Sequence, residues 1–528
     1  MSAAFTRIDF PEIFLGFVAP VGVEMTSSIK HFRTHFERLG YNVIPIKVTD
    51  VFKELEKSVK PKKPLVQTPA HLRLERYIEY GNQLREYFED DALLAGLTIT
   101  RIVAERLSHS KEPDRSPQKT VFLLHQFKRR EEIELLRSIY GRVFFQISIY
   151  SRTGARVENL AKSFARAENQ GISDPFRSKA QAIVQIDQNQ ADNDHGQRVS
   201  AIFHNGDIIL NSDDSDDSLE DQIGRFVHLL FGSNKISPTR DEYGMFVAKS
   251  AALRTLDLSR QVGAAIFSPE GEILTMGSNE VPKANGGTYW SNDPNHFDDR
   301  DYVREHDSND RRKLELLFDL IKVLDLTKDG LSEKPAVKKS QFMDALEYGR
   351  IIHAEMSAIC DAARIGRPLA RSVLYSTTFP CHMCAKHIVA AGIAKVIFLE
   401  PYPKSLTSSL HSDSIRIEGA DRGRHQDYPA VEFVHFHGIS HRRYRELFER
   451  AKRKDEDGNF IEWNNPLVDE QRKSVQPRPI IDLKFPFYLE LEKKTIEAYT
   501  SLVAVNIKSQ KRQRSSKHRA SARSAKRR

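Results

Sequence analysis

The sequence predicts an α/β chain of two or three domains, the first with a parallel sheet covered by helices, and three observations carry that expectation. At 528 residues it is long for one domain and suits two or three. Its first third alternates strand-like and helix-like stretches in the order βαβ…βαβα, which implies a parallel sheet covered by helices. Further on, a hairpin is followed by two helices separated by a strand, and by another strand.

The elements follow in order. Ile13–Val18 reads as a strand, Thr26–Arg38 as a helix and Asn42–Ile46 as a strand. Thr120–His125 is strand-like, Glu131–Ile139 helical and Val143–Ile149 a strand before the helix Thr153–Ala165. A polar stretch, Asp187–Gln197, precedes an expected short strand Ala201–Leu210 and the helix Ser218–Phe231, and a boundary is expected near Gly232–Asn234. The second domain opens with an expected helix Glu242–Leu258. Strands Val262–Phe267 and Glu272–Gly277 then form a hairpin around Ser268-Pro269-Glu270-Gly271. Val281–Lys338, with its Gly/Asn/Asp-rich loop and the helix Arg311–Leu324, reads as an insertion. Strands Ser372–Thr377 and Lys395–Leu399 complete the reading. The expected division is 1–232, 233–487, and a C-terminal helix with a disordered basic tail over 488–528.

Composition excludes several function classes. Forty per cent apolar and 29% charged residues are ordinary for a globular protein. Three cysteines provide no disulfide framework and fit a reducing cytoplasm. The apolar start, Ile13 to Val23, lacks a basic leader and a cleavage motif, so a first strand is expected and not a signal peptide. No apolar run approaches the ~18 residues of a membrane span. The net charge of +8 misleads, because residues 508–528 contain ten Lys/Arg and no acid. Removing those ten leaves the body at −2. The basic balance therefore belongs to the tail and not to a nucleic-acid-binding face of the folded domains.

The chemistry is concentrated in two short segments. His353-Ala354-Glu355 is followed, 25 residues after Glu355, by Pro380-Cys381-His382-Met383-Cys384. His-x-Glu with Pro-Cys-x-x-Cys is the signature of zinc deaminases that hydrolyse the exocyclic amine of cytosine or adenine. A catalytic Zn²⁺ takes three protein ligands and leaves its fourth position to water. His353, Cys381 and Cys384 are the three. The gap in Cys-x-x-Cys lets both sulfurs reach one ion from the first turn of a helix, His382 to Ala391, whose positive end favours thiolates. Glu355 is the expected proton carrier. Cys360 reads as small inward-facing core filler beside Ile359.

The loop Gly16–Thr26 sits between a strand and a helix, where a P-loop belongs. Set against G-x-x-x-x-G-K-[ST], Ala19 and Glu24 replace the glycines and Met25 the lysine. Only Thr26 survives. Without the lysine phosphoryl transfer is not expected. Gly16, Gly22 and Thr26 remain the candidates for contact with a regulatory nucleotide. His435, His437 and His441 suggest a second metal site, with alternating histidines on a solvated strand as the plainer reading. A substrate phosphate needs cations, and the candidates are Arg254, Arg260 and Lys404. Tyr375 is a candidate for the base pocket.

Ser259-Arg260-Gln261-Val262-Gly263-Ala264, with Gly277-Ser278-Asn279-Glu280 closing the hairpin, resembles the deoxycytidylate deaminase family. The resemblance implies that Asn279 hydrogen-bonds the deoxyribose. Together with the degenerate loop, Pro238–Phe246 and Glu400–Ser405, the chain resembles the bacterial anti-phage dCTP deaminases. It implies a P-loop-kinase-like three-layer domain followed by a cytidine-deaminase-like α/β/α domain, in a cytoplasmic homo-oligomer. It also implies deamination of dCTP, and often dCMP, to the deoxyuridine nucleotide, depleting dCTP when a phage infects, with inhibition by a small RNA in some systems. The competing readings are a deaminase of RNA or single-stranded DNA, and a non-catalytic nucleotide- or RNA-sensing regulator.

Overall fold

The computed structural model describes residues 7–109, 119–188, 190, 193–324, 337, 340–402, 405–464 and 474–525. It divides into two compact units, Met1–Ser237 with Gly438–Arg528, and Pro238–His437.

The first unit is built on strands β1 (Ile13–Val18), β2 (Asn42–Lys47), β3 (Thr120–His125), β4 (Phe144–Tyr150) and β5 (Ile208–Asn211). They lie in the order β2-β3-β1-β4-β5 and are all parallel. Every residue of β1, IFLGFV, is buried, as a central strand covered on both faces requires. Its helices are α1 (Met25–Arg38), α2 (Ala70–Phe88), α3 (Leu93–His109), α4 (Arg130–Tyr140), α5 (Thr153–Ala167), α6 (Arg177–Gln188) and α7 (Asp216–Leu230). The sequence reading had no counterpart for α2, α3 or α6. The expected strand Ala201–Leu210 divides in two: Val199–Phe203 is a helical turn, and only Ile208–Asn211 is strand. His204-Asn205-Gly206 breaks the run between them.

The expected boundary at 487 does not hold. At Gly438–Ile439 the chain returns to the first unit and adds an antiparallel strand to β5. Trp463 Nε1 then donates to the Phe231 carbonyl at 3.1 Å, and Ile480 N–H to that of Leu230 at 2.8 Å. The C-terminal segment is a helix over Tyr488–Ala525, where a disordered tail was expected past 508. It contains neither glycine nor proline and is rich in Ala, Lys and Arg, all good helix formers. A buried ion cluster pins its start. Arg106 donates bidentately to Glu12 (3.0 and 3.0 Å) and to Glu492 (2.6 and 2.9 Å), and Tyr140 and Tyr488 donate to the same carboxylates.

The second unit contains α8 (Arg240–Ala252), β6 (Gly263–Phe267), β7 (Ile273–Ser278), α9 (Ser308–Val323), α10 (Ala354–Ile365), β8 (Val373–Thr378), α11 (His382–Ala390), β9 (Lys395–Glu400), β10 (Ile415–Ile417) and β11 (Val431–His435). The sheet order is β10-β11-β9-β8-β6-β7, with β6 antiparallel to both neighbours and the other pairs parallel. Helix α8 begins at a capping box, Thr239 with Glu242, and ends at Ala252, six residues before the expected stop at Leu258. Beyond it Asp257 Oδ1 accepts from the backbone of Ser259 and Arg260 and turns the chain into β6.

Strand parity distributes the helices over the two faces of this sheet. A Cβ on Gly263 would stand 2.0 Å from the Ala248 carbonyl oxygen of α8, and one on Gly277 would stand 2.2 Å from that of Ala354 on α10. Gly277 pairs with Ala264, whereas Gly263 pairs with Ser278, so the two glycines face opposite sides. The result is an α/β/α sandwich with a core of Ala264, Ile266, Ala358, Leu374, Ile388, Val396 and Phe433 on the α10 side.

Candidate active site and metal centre

Two helix N-termini converge on one point. His353 is the N-cap of α10 and Glu355 lies in that helix's first turn. Cys381 is the N-cap of α11, with Cys384 three residues on. N-cap and N3 side chains share one face of a helical turn, so Pro-Cys-x-x-Cys brings both sulfurs together. His353 Nδ1 is 3.3 Å from Cys381 Sγ and 3.4 Å from Cys384 Sγ. All three ligand atoms lie within 4.8 Å of one another.

The donor set fits a soft divalent cation. A hydrogen bond from Cys384, and secondarily the His353 ring, hold the Cys381 thiol down at about 4. That same bond to Cys381, with burial, pushes Cys384 well above the usual thiol range. Two adjacent thiolates repel, and a cation between them removes the conflict. One imidazole and two thiolates with a place left for water is a catalytic zinc pattern. Among the described residues this is the one group of three or more metal-ligating side chains so spaced; His435, His437 and His441 do not form a second.

Glu355 is 4% exposed, and burial pushes its carboxyl above the usual range, with the nearby Cys381 acting in the same direction. Ser376 Oγ lies 3.0 Å from Glu355 Oε1 and 2.7 Å from the Thr378 carbonyl oxygen. With its one hydrogen on Thr378, Ser376 accepts from a protonated Glu355; turned round, it donates to the carboxylate. The sequence reading missed Ser376 and named its neighbour Tyr375. Ser376 pairs with Ala264, on the α10 side, whereas Tyr375 pairs with Ala265 and points the other way. The Tyr375 hydroxyl donates to Asp241 at 2.9 Å, and its ring packs against Phe267.

A cavity of about 400 Å³ opens over the triad, lined by His353, Glu355 and Cys381 together with Asn279, Arg260 and Tyr402. Its far wall comes from the segment read as an insertion, through Asp307, Asn309 and Lys313, and from Arg350. Asn279 reaches the cavity but is also a brace: its Oδ1 accepts from Val262 N–H at 2.7 Å, and its Nδ2 donates to Asp257 and to the Arg260 carbonyl, both at 2.8 Å. Arg260 pairs with Glu400 at 3.3 Å and lies 5.2 Å from the Tyr402 ring centre. Arg254 is not brought to the cavity; its guanidinium stacks 3.5 Å from the Trp290 ring centre. Lys404 lies outside the described residues. Cys360 is exposed and not core filler.

The N-terminal candidates have local structural explanations. A Cβ on Gly16 would meet the Phe144 ring at 2.6 Å, and Gly22, at φ +90°, lies against the Arg156 backbone. Thr26 N–H is capped by Glu24 at 2.9 Å.

Residues 238–400 match the model of the cytidine and deoxycytidylate deaminase zinc-binding region. This part of the chain is a deaminase-family domain. Its triad is consistent with the catalytic zinc site typical of that family and with hydrolytic deamination. A probable deoxycytidylate deaminase of Drosophila melanogaster is 28% identical over 188 residues, 35% of this chain and 71% of the fly protein. The deoxycytidylate deaminase of Enterobacteria phage T4 is 44% identical over 54 residues, 10% of this chain and 28% of its own length. The human deoxycytidylate deaminase is 29% identical over 158 residues, 30% of this chain and 63% of its own. A dCMP deaminase of cyanophage S-TIM5, crystallised with dCMP and dUMP, superposes at a TM-score of 0.21 over 37% of this chain and 98% of that one, with 18% identity. The deaminase domain is joined to an additional N-terminal unit. No helix among the described residues is long and apolar enough to cross a membrane.

Proposed function

We propose that this chain hydrolytically deaminates a deoxycytidine nucleotide, dCTP or dCMP, to the deoxyuridine nucleotide. The observation that carries the reading is a buried carboxyl beside a His/Cys/Cys triad at the floor of a nucleotide-sized cavity. His353 Nδ1 and the sulfurs of Cys381 and Cys384 would hold a zinc ion, which would supply a Lewis acid able to lower the pKa of water toward ~7. Glu355 takes one proton from the attacking water and gives it to the ring nitrogen, then takes the second from the hydroxyl added at the ring carbon and gives it to the amine, which leaves as ammonia as the carbonyl forms. Ser376 keeps Glu355 Oε1 aimed through both protonation states. Asn279 holds the loop 257–262 at the sugar side of the cavity. Arg260 is the cation for the phosphate. Its pair with Glu400 is half-exposed, and such pairs are worth only about 0–1 kcal/mol, so a phosphate can replace the carboxylate. Lys313 and Arg350 are tied to Asp310, and to Asp299 and Asp301.

We further infer a P-loop-kinase-like regulatory role for the N-terminal unit, supported by its parallel sheet with β1 at the centre and a loop leading from β1 into α1. Depletion of dCTP in defence against phage is the physiological role that the family resemblance supports.

The test is incubation of the zinc-loaded chain with dCTP, dCMP, CTP, dATP and a deoxycytidine oligonucleotide, with products resolved by chromatography. The expected products are dUTP or dUMP, lost on Glu355→Ala with zinc retained. Turnover of the oligonucleotide alone, or turnover by Glu355→Ala within a few-fold of wild type, refutes the reading.

A further inference from the structure

The segment that walls the cavity leaves and rejoins the rest of the deaminase domain at one point. Ile352 N–H donates to the Glu280 carbonyl oxygen at 3.2 Å, and the two residues form an isolated antiparallel bridge. Residues 281–351 lie between them, and His353 is the next residue in the chain. Glu280 is 1% exposed. Its Oε1 accepts from Val281 N–H at 2.8 Å and its Oε2 from Leu256 N–H at 2.9 Å. This one residue therefore joins three pieces of the site. Its carbonyl holds the backbone that ends in the ligand His353. Its carboxylate holds Leu256, where the loop begins whose Asp257 and Arg260 line the cavity. Its peptide bond holds Asn279, the brace of that same loop.

A buried carboxylate is stable only where hydrogen bonds and a cation offset its lost hydration. Here the cation comes from the insertion. Arg300, 5% exposed, places Nη1 3.6 Å from Glu280 Oε2. Its Nε and Nη2 donate to Asp298 at 2.9 and 2.6 Å, and the Tyr302 hydroxyl donates to Asp298 at 2.8 Å. Tyr302, Asp298, Arg300 and Glu280 thus form a chain in which each member fixes the next. Displacing Arg300 releases the Glu280 carboxylate, and with it the bridge to Ile352 from which His353 extends.

We propose that Glu280 and Arg300 are positioning residues for His353, so that the insertion sets the geometry of the metal centre as well as walling the cavity. Neither residue lines the cavity, so neither is placed to touch substrate. Only the kinetic arm of the test rests on the deaminase reading; the spectroscopic arm needs no turnover.

The experiment loads the full chain with Co²⁺, whose visible absorption follows its ligand geometry, and in parallel with zinc for kinetics on dCMP and dCTP. Glu280→Gln and Arg300→Met should each still bind the metal, yet shift the Co²⁺ bands away from those of the wild type. Each should lower kcat by about 10–100-fold, the usual effect of losing support behind a metal ligand, with KM little changed. The double variant should be no worse than the worse single, because both residues act through one contact. Arg300→Lys keeps the charge and should recover most of the loss and the wild-type bands. Arg312→Met, which removes an exposed pair with Glu315 in the same insertion, should change neither readout. The proposal is overturned if Glu280→Gln and Arg300→Met, folded by thermal melt, keep the wild-type Co²⁺ bands, or if their losses multiply in the double variant. Should Glu280→Gln fail to fold, Arg300→Met against Arg300→Lys decides the matter on the same bands. Shifted bands in the variants with no turnover by the wild type would refute the deaminase reading and support this inference.

Discussion

Replacing Gly277 with alanine should inactivate the deaminase domain without touching any ligand or the proton carrier. The new Cβ would stand 2.2 Å from the Ala354 carbonyl oxygen, 2.5 Å from Ala358 N and 3.0 Å from Ser357 Cβ, whereas ordinary contact begins at 3.4 Å. The nearest atoms are backbone, so no side chain can swing away. Relief requires α10 to lift from β7 by about 1 Å, at an overpacking cost of about 1–3 kcal/mol. The N-cap of α10 is His353 and its first turn holds Glu355, so the lift moves a zinc ligand and the carboxyl together. A displacement of 1 Å at reacting groups costs about 10²-fold in rate. Initial rates on dCMP and dCTP, zinc stoichiometry and a thermal melt should be measured together. Gly154→Ala serves as the control, because its Cβ would meet nothing within 4 Å. If Gly277→Ala retained kcat/KM within threefold of wild type, the link between strand parity and the position of α10 would be wrong.

Ser376→Ala should lower kcat by about 10–100-fold, the worth of one hydrogen bond to a charged group, with KM and zinc content unchanged. It should also shift the limb of the pH–rate profile that reports Glu355, and Ser376→Thr should restore both. A simple loss of folded protein would leave that limb in place. Arg106→Met strands Glu12 and Glu492 without their shared cation and should destabilise the first unit by about 3–5 kcal/mol in urea unfolding. A change below 1 kcal/mol would mean that the cluster does not anchor the C-terminal helix. His437 is held down at about 3, first by burial and then by His435 and Lys395. The unfolded chain therefore binds a proton below about pH 6.5 that the folded chain refuses, and stability falls as pH drops from there toward 3, by about 1.4 kcal/mol per pH unit. His437→Asn should flatten that acid limb, and an unaltered slope would refute the assignment.

How much was legible in the sequence differs by element. Ile13–Val18, Asn42–Lys47 and Thr120–His125 were visible because their apolar runs are short and bounded by turn residues. Helices α2 and α3 were not, since their residues are mixed in polarity. Arg254 and Arg260 look alike in sequence, but only Arg260 reaches the cavity; Arg254 is drawn off by the Trp290 ring. Lys313 carried no signal, because nothing in the insertion's composition says which wall it builds.

The sequence by itself determined the chemistry. Pro-Cys-x-x-Cys is a local device in which one helical turn sets the spacing of two sulfurs, and His-x-Glu places a ligand and a carboxyl at the start of another. What only the tertiary structure decided is which neighbours those groups meet. Ser376 and not Tyr375 faces Glu355 because successive strand residues point to opposite sides, and the side that counts is set by which helix lies across it. Gly263 and Gly277 make those two approaches close enough, and such contacts between residues far apart in the chain exist only once the sheet is assembled.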